Sequence, residues 1–238
     1  MIKFLLYNKV VKFLYGVLLL PMCYVLISTL IFVLSKIELS NYLVQYFLFG
    51  IITYVLIHFF FYKPISIYVF SHELVHVISA YLCGSKIKKV KISTNQGSVN
   101  VDKVNTFIAL SPYFVPLYSI LGTLVWFVVR FLFKLELSVG LLSFFLGFTI
   151  AFHIILTIHA IYLGQQDLKI SGWLFSTVLI FILNCIILIA LFNVMFLNRN
   201  DINLTKDFFL RSIILTYKEC YKITVELFKI IFNLLRQK

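Results

Sequence analysis

Charged side chains are scarce in this chain, and acidic ones are the scarcest. Only 9 of its 238 residues are Asp or Glu, and charged residues of both signs make up 13%, which is about half the share typical of soluble domains. Hydrophobic residues make up 62%, and the mean hydropathy is +1.02. The core of a water-soluble protein of this length could not bury that much apolar surface. The composition therefore excludes a soluble globular domain and a disordered chain, and it favours an all-α polytopic membrane protein.

Cysteine is also sparse, with four residues at positions 23, 83, 185 and 220. No two of them form a C-x-x-C pair, and three lie in or beside apolar runs. This spacing excludes a disulfide framework and a thiolate metal site. We interpret the cysteines as small apolar packing residues.

Acidic residues do not balance the basic ones, and the net charge is +12. The basic residues lie between and after the apolar runs, where they would meet lipid headgroups. Because there is no separate polar domain, we expect no nucleic-acid partner. Lysines lie at both ends of the apolar runs, so their distribution leaves the membrane orientation open.

Six apolar runs are each long enough for one crossing of a bilayer, which takes about 20 residues. They cover residues 10–34, 43–62, 65–82, 107–133, 138–163 and 172–197. The first run is too long for the core of a signal peptide, so we interpret it as a retained span. The pattern predicts a membrane-embedded domain over residues 1–200, in a multi-pass protein of the inner or plasma membrane. Pro112 and Pro116 interrupt the fourth run.

Residues 85–106 differ from the apolar runs. Apolar residues alternate on each side of a turn, with Ile87 or Val90 and Ile92 before it and Val99 and Val101 after it. The turn itself contains glycine, in the sequence Asn95-Gln96-Gly97. This pattern is typical of a β-hairpin. Its lysines indicate that the hairpin lies at the membrane interface or in water and does not span the bilayer.

Residues 201–238 form a further distinct segment. Polar and charged residues recur at intervals of three, four or seven, and apolar residues fill much of the rest. This periodicity predicts a C-terminal amphipathic helix with a basic stripe, which would lie on anionic headgroups at the membrane surface. The alternative is a helix that packs on another part of the protein.

The third apolar run contains the motif H-E-x-x-H at His72, Glu73 and His76. Four residues along a helix bring the two imidazoles to within about 40° of each other on one face, so both can bind one zinc ion. Glu73 lies beside them and can take a proton from a water molecule activated by zinc. Ionisable residues inside a membrane helix are costly and indicate a function.

A catalytic zinc ion takes three protein ligands, so a third residue is needed. Asp167 is the best acidic candidate, because it lies between two spans without a flanking charged loop, and Gly164 and Gly172 on either side allow the backbone to turn. Two alternatives stay open. Asp167 could instead cap the N-terminus of the sixth helix, and His159 or His153 in the fifth run could be the ligand.

Over residues 65–190 the chain resembles the site-2 protease family of intramembrane zinc metallopeptidases, in its short, divergent bacterial-type branch. The H-E-x-x-H motif within an apolar run carries most of the resemblance. A basic, β-prone loop follows it, and then comes a proline-containing helix that begins at residues 109–112. The segment 166–168, with Asp167, occupies the place of the family's aspartate ligand.

The resemblance implies an intramembrane zinc metalloendopeptidase with one zinc ion per chain. His72, His76 and Asp167 would hold the metal, and Glu73 would be the catalytic base. The substrate would be a membrane-spanning protein, and the hairpin would bind an unwound substrate strand by pairing along its edge. The competing hypothesis is a non-catalytic metal-binding membrane protein or an ion transporter. No internal duplication, which is common in transporters, is evident in the sequence.

Overall fold

The computed structural model describes residues 9–60, 64–94 and 97–236. The end of the second predicted span, Phe61 and Tyr62, and the turn residues Asn95 and Gln96 lie outside this part. The described residues form helices α1 Lys9–Ser35, α2 Tyr42–Phe60, α3 Ile65–Leu82, α4 Thr106–Leu110, α5 Leu117–Leu132, α6 Val139–Tyr162, α7 Gln166–Ser171, α8 Trp173–Phe196 and α9 Arg199–Arg236, together with strands β1 Ile87–Ile92 and β2 Gly97–Val101.

Five of these helices (α1, α2, α3, α6 and α8) are long and apolar enough to cross a membrane. The fourth predicted span is broken near its two prolines, as the sequence indicated. It consists of α4, a 3₁₀ turn at Ser111–Tyr113 and α5, with a bend of 73°. Pro112 and Pro116 lie at this break, where proline removes a backbone donor and obstructs a continuous helix. The prediction of a mainly helical fold with about six candidate spans is therefore confirmed, with one of them bent.

The predicted hairpin is present, with β1 and β2 antiparallel and Val90 opposite Val99. The register shifts between Ile87 and Lys89, so the strand has an irregularity at its start. Asp102 closes the base of the hairpin, because its Oδ1 accepts hydrogen bonds from the Ser85 hydroxyl at 2.7 Å and from the Lys86 N–H at 2.8 Å. These hydrogen bonds hold the pKa of the Asp102 carboxyl below its usual range.

Helix packing places α2 against α6 and α1 against α8. The first contact is very close, since a Cβ at Gly147 would overlap the backbone carbonyl of Phe47. A buried core joins α2, α3, α4, the 3₁₀ turn, α6, α7 and α8. Its members are Tyr54, Tyr68, Ala109, Leu110, Tyr113, Ala151, Phe152, Leu156, Ala160, Leu168 and Ile180.

The C-terminal segment is one amphipathic helix, α9, as its periodicity predicts. Its first half packs on α1, where the Phe208 ring stacks on Phe32 with centroids 4.4 Å apart. Further along, the Tyr217 hydroxyl donates to the Leu18 carbonyl at 3.4 Å, so the two helices run antiparallel. In the second half, most side chains of residues 218–230 are exposed, Tyr221 and Phe228 among them. The first half of α9 therefore packs on another part of the protein, which was the alternative interpretation of this helix. For the second half, contact with lipid stays a prediction.

Candidate metal centre

One side of the site comes from α3, which presents its polar residues inward. His72, Glu73 and His76 are all buried, with His72 and Glu73 each 6% exposed. The helical repeat places the two imidazole rings edge to face, with centroids 4.9 Å apart. Gly84 adopts φ +66° just beyond the helix, and the Ser85 N–H donates to the Ala80 carbonyl at 2.9 Å. This left-handed glycine ends α3 and directs the chain into the hairpin.

The opposite side of the site comes from the short helix α7, which carries Asp167. Gly164 precedes this helix with φ +67°, and Gly172 follows it with φ +86°. The expectation that Asp167 could cap the sixth helix is wrong. Gln165 is the N-cap of α7 and Gly172 is the N-cap of α8, and neither makes a side-chain capping hydrogen bond. Asp167 lies instead in the first turn of α7, which frees its carboxylate to face α3.

The three candidate ligands meet at one point. Asp167 Oδ2 lies 3.6 Å from His72 Nε2 and 3.3 Å from His76 Nε2. A tetrahedral zinc ion with bonds of about 2.1 Å separates neighbouring ligand atoms by about 3.4 Å. One ligand atom from each residue lies within 4.8 Å of the others. The donor set and its spacing could therefore hold a metal ion, and zinc is one of the ions that this spacing fits.

A hydrogen bond to the backbone orients the His76 imidazole. His76 Nδ1 lies 2.8 Å from the Ile108 carbonyl, which can only accept, so Nδ1 carries the proton and Nε2 is left with a free lone pair. The Nδ1 atom of His72 is buried and has no hydrogen-bond partner within the described residues.

A cleft of about 600 Å³ opens onto these residues, and it is lined by α3 and α7 and by the whole of β2. Glu73 faces this cleft, and Gly97 at the start of β2 lies directly on its side chain. A Cβ at Gly97 would overlap the Glu73 carboxyl group. The sequence suggested only a turn role for Gly97. Its close approach to Glu73 depends on where the hairpin folds back onto α3.

The two alternative histidines are not part of the ligand cluster. Neither His153 nor His159 belongs to the group of ligand atoms that meets at Asp167. His153 is buried on α6, beside Asn184 and the Tyr113 carbonyl. His159 lies in the last turn of α6 and is partly exposed. The geometry therefore favours Asp167 as the third ligand over both histidines.

One residue at the site, Tyr113, was not anticipated from the sequence. Its hydroxyl donates to Asp167 Oδ2 at 3.4 Å, and its ring meets the His72 ring edge to face with centroids 5.0 Å apart. The only signal in the sequence was the neighbouring Pro112, which marks a break in the helix but says nothing about the direction of the next side chain.

Comparison of the chain with protein-family models, with curated proteins and with solved structures finds no match.

Proposed function

We propose that this protein is an intramembrane zinc metalloendopeptidase that hydrolyses peptide bonds of membrane-spanning substrates. One observation carries the proposal: His72 Nε2, His76 Nε2 and Asp167 Oδ2 converge at the spacing of a tetrahedral metal site, and Glu73 faces the same cleft. Ligands in an H-E-x-x-H helix with a neighbouring glutamate are the arrangement of zinc peptidases. A single zinc ion per chain suits the three ligands.

Placement in a membrane is part of the proposal. Several helices are long and apolar enough to span it, and large apolar side chains cover their outer faces. Leu18, Leu124 and Phe181 are exposed examples on α1, α5 and α8. Such a surface is stable in lipid and would aggregate in water. We therefore place the protein as a multi-pass membrane protein, with the cleft accessible to substrates held in the same bilayer.

The chemistry follows from the position of each side chain. A bound zinc ion lowers the pKa of water and polarises a peptide carbonyl. Glu73 accepts the proton of the attacking water, whose oxygen forms a bond to the carbonyl carbon. The C–N bond then breaks, and Glu73 delivers the proton to the leaving amine, which returns the side chain to its starting state. The Ile108 carbonyl keeps His76 in the orientation that the metal requires.

The hairpin offers a place for the substrate. β2 lines the cleft and pairs with β1 on one side only, and its other edge has no strand partner in the described part of the chain. An extended peptide can pair with such an edge through backbone hydrogen bonds. Membrane segments are helical, so unwinding would expose the scissile bond next to Glu73.

The second half of α9 supports a further contact, with the lipid surface. Lys218, Lys222 and Lys229 recur along it, and apolar residues such as Leu227 and Phe228 are exposed between them. This arrangement suits a helix at anionic headgroups, with its apolar face in the acyl boundary. A fluorophore at position 228 should be quenched by bromine-labelled lipid more strongly than one at position 222, and equal quenching would contradict this placement.

The central test is Glu73→Gln in the purified, zinc-loaded protein reconstituted with a mixture of single-span membrane peptides. Because general acid–base groups contribute about 10²- to 10⁴-fold, we expect cleavage, followed by mass spectrometry, to fall by that factor while zinc content stays at one per chain. Glu136→Gln, at an exposed glutamate outside the cleft, is the matched control and should cut like the parent.

Two outcomes would contradict the peptidase proposal. One is a Glu73→Gln protein that retains zinc and cuts as fast as the parent. The other is a parent that cuts none of the peptides but carries zinc into sealed vesicles, with the flux lost in His72→Ala. That second result would favour the transporter hypothesis.

A further inference from the structure

Tyr113 connects the candidate metal centre to the rest of the fold. It is 0% exposed, although it carries a polar hydroxyl. That hydroxyl contacts Asp167 Oδ2, the same oxygen that faces both imidazoles, at 3.4 Å. Its ring edge packs on the ring of His72. A single side chain therefore contacts two of the three candidate ligands.

The backbone of Tyr113 is held as firmly as its side chain. It ends the 3₁₀ turn at Ser111–Tyr113, where Pro112 restricts the chain. Its carbonyl accepts a hydrogen bond from Asn184 Nδ2 on α8 at 2.9 Å, and the same amide also donates to the Ile180 carbonyl. The Asn184 side chain thereby anchors the turn to α8, a helix that contributes none of the candidate ligands.

Asp167 needs such support more than the histidines do. A carboxylate on a six-residue helix can rotate between orientations, whereas a metal ion requires one oxygen in a fixed place. A tyrosine hydroxyl that donates to Oδ2 restricts that rotation and leaves the other lone pair of the oxygen for a metal. Partners of metal ligands of this kind typically contribute 10- to 100-fold in metal affinity.

We propose that Tyr113 is a positioning residue that orients the Asp167 carboxylate for the metal, and that Asn184 acts through Tyr113. This inference rests on the proposed metal site, since it assigns a role toward that site. It concerns metal binding directly, so it can be tested without a substrate.

The experiment measures the zinc affinity of the full-length protein in detergent by competition with a chromophoric chelator. We expect Tyr113→Phe to bind zinc about 10- to 100-fold more weakly than the parent. Its cobalt-loaded form should show a shifted visible absorption spectrum, because the ligand geometry changes. The matched control is Tyr54→Phe, which removes an equally buried hydroxyl that contacts His58 Nδ1 at 3.1 Å on α2. It should match the parent in both readouts.

Asn184→Ala tests the second part of the inference. Alone it should weaken zinc binding in the same direction and by a smaller factor, and in the Tyr113→Phe background it should add no further loss. Additive losses would overturn the claim that Asn184 acts through Tyr113. A Tyr113→Phe protein with the affinity and cobalt spectrum of the parent would overturn the positioning role and leave the peptidase proposal standing. A parent that binds no zinc would overturn both.

Discussion

The two sides of the candidate site are built in opposite ways. α3 supplies His72, Glu73 and His76 from a regular helix of 18 residues, in which the helical repeat sets their relative directions. α7 supplies Asp167 from a helix of six residues that lies between two glycines with positive φ. The first side is determined by local geometry, and the second depends on contacts with distant parts of the chain.

In addition to Tyr113, contacts of Leu168 and Ser171 hold the α7 side in place. Leu168 is fully buried in the central core, and its carbonyl accepts a hydrogen bond from Ser176. Ser171 donates to the Thr106 hydroxyl at 2.9 Å, which joins the end of α7 to α4. The comparison shows that a helical motif can present two ligands by itself, while the third ligand requires that several elements pack correctly around a short segment. Changes to these contacts should weaken metal binding without altering a ligand.

The largest effect should come from removing a ligand on either side. His76→Ala and Asp167→Ala should each reduce zinc affinity by more than roughly 100-fold, the most that a residue supporting a ligand typically contributes. The reason is that each substitution deletes a bond to the metal. Zinc per chain, measured by elemental mass spectrometry after dialysis, tests this prediction. His159→Ala is the control and should retain the zinc of the parent. If Asp167→Ala also retains it, the α7 side does not bind the metal.

A smaller effect, confined to catalysis, is expected at the contact between the hairpin and α3. Gly97→Val adds a side chain where the Glu73 carboxyl lies, so either Glu73 or the strand must move. A displacement of about 1 Å can reduce a rate about 100-fold. Cleavage of the peptide mixture should fall by that order while zinc affinity is unchanged. Lys91→Ala, on the exposed partner strand, should cut like the parent. Full activity in Gly97→Val would contradict the tight packing of β2 on Glu73.

The smallest fold-change of the three, a loss of zinc affinity, should come from weakening the support of α7. Leu168→Ala removes fully buried side-chain volume, which costs about 2–5 kcal/mol in packed cores, and the loosened helix should bind zinc about 10-fold more weakly, within the range for outer partners. Leu26→Ala removes a similar buried side chain from the contact between α1 and α8. It should reduce the thermal stability of the protein comparably and leave zinc affinity unchanged. Equal affinities in the two variants would show that α7 is not held by Leu168.

The predictions from the sequence succeeded where the signal was local. Composition and the apolar runs predicted the candidate spans, Pro112 and Pro116 predicted an interruption of the fourth, and alternation around Gly97 predicted the hairpin. The placement of Asp167 opposite the histidines was an expectation based on elimination and on a family resemblance. The alternatives of a helix cap and of a histidine ligand could not be separated along the chain, because each depends on the directions of segments that are far apart in the sequence.

Hydrophobicity and the helical repeat are properties of consecutive residues, and so the sequence by itself determined the membrane-type helices and the shared face of His72 and His76. Only the tertiary structure decided which carboxylate meets those histidines, that Gly97 lies on Glu73, and that Tyr113 contacts both His72 and Asp167. These contacts join residues up to 95 positions apart, as His72 and Asp167 are. Their formation depends on the packing of whole helices and on the turns between them, and no short stretch of sequence encodes that packing.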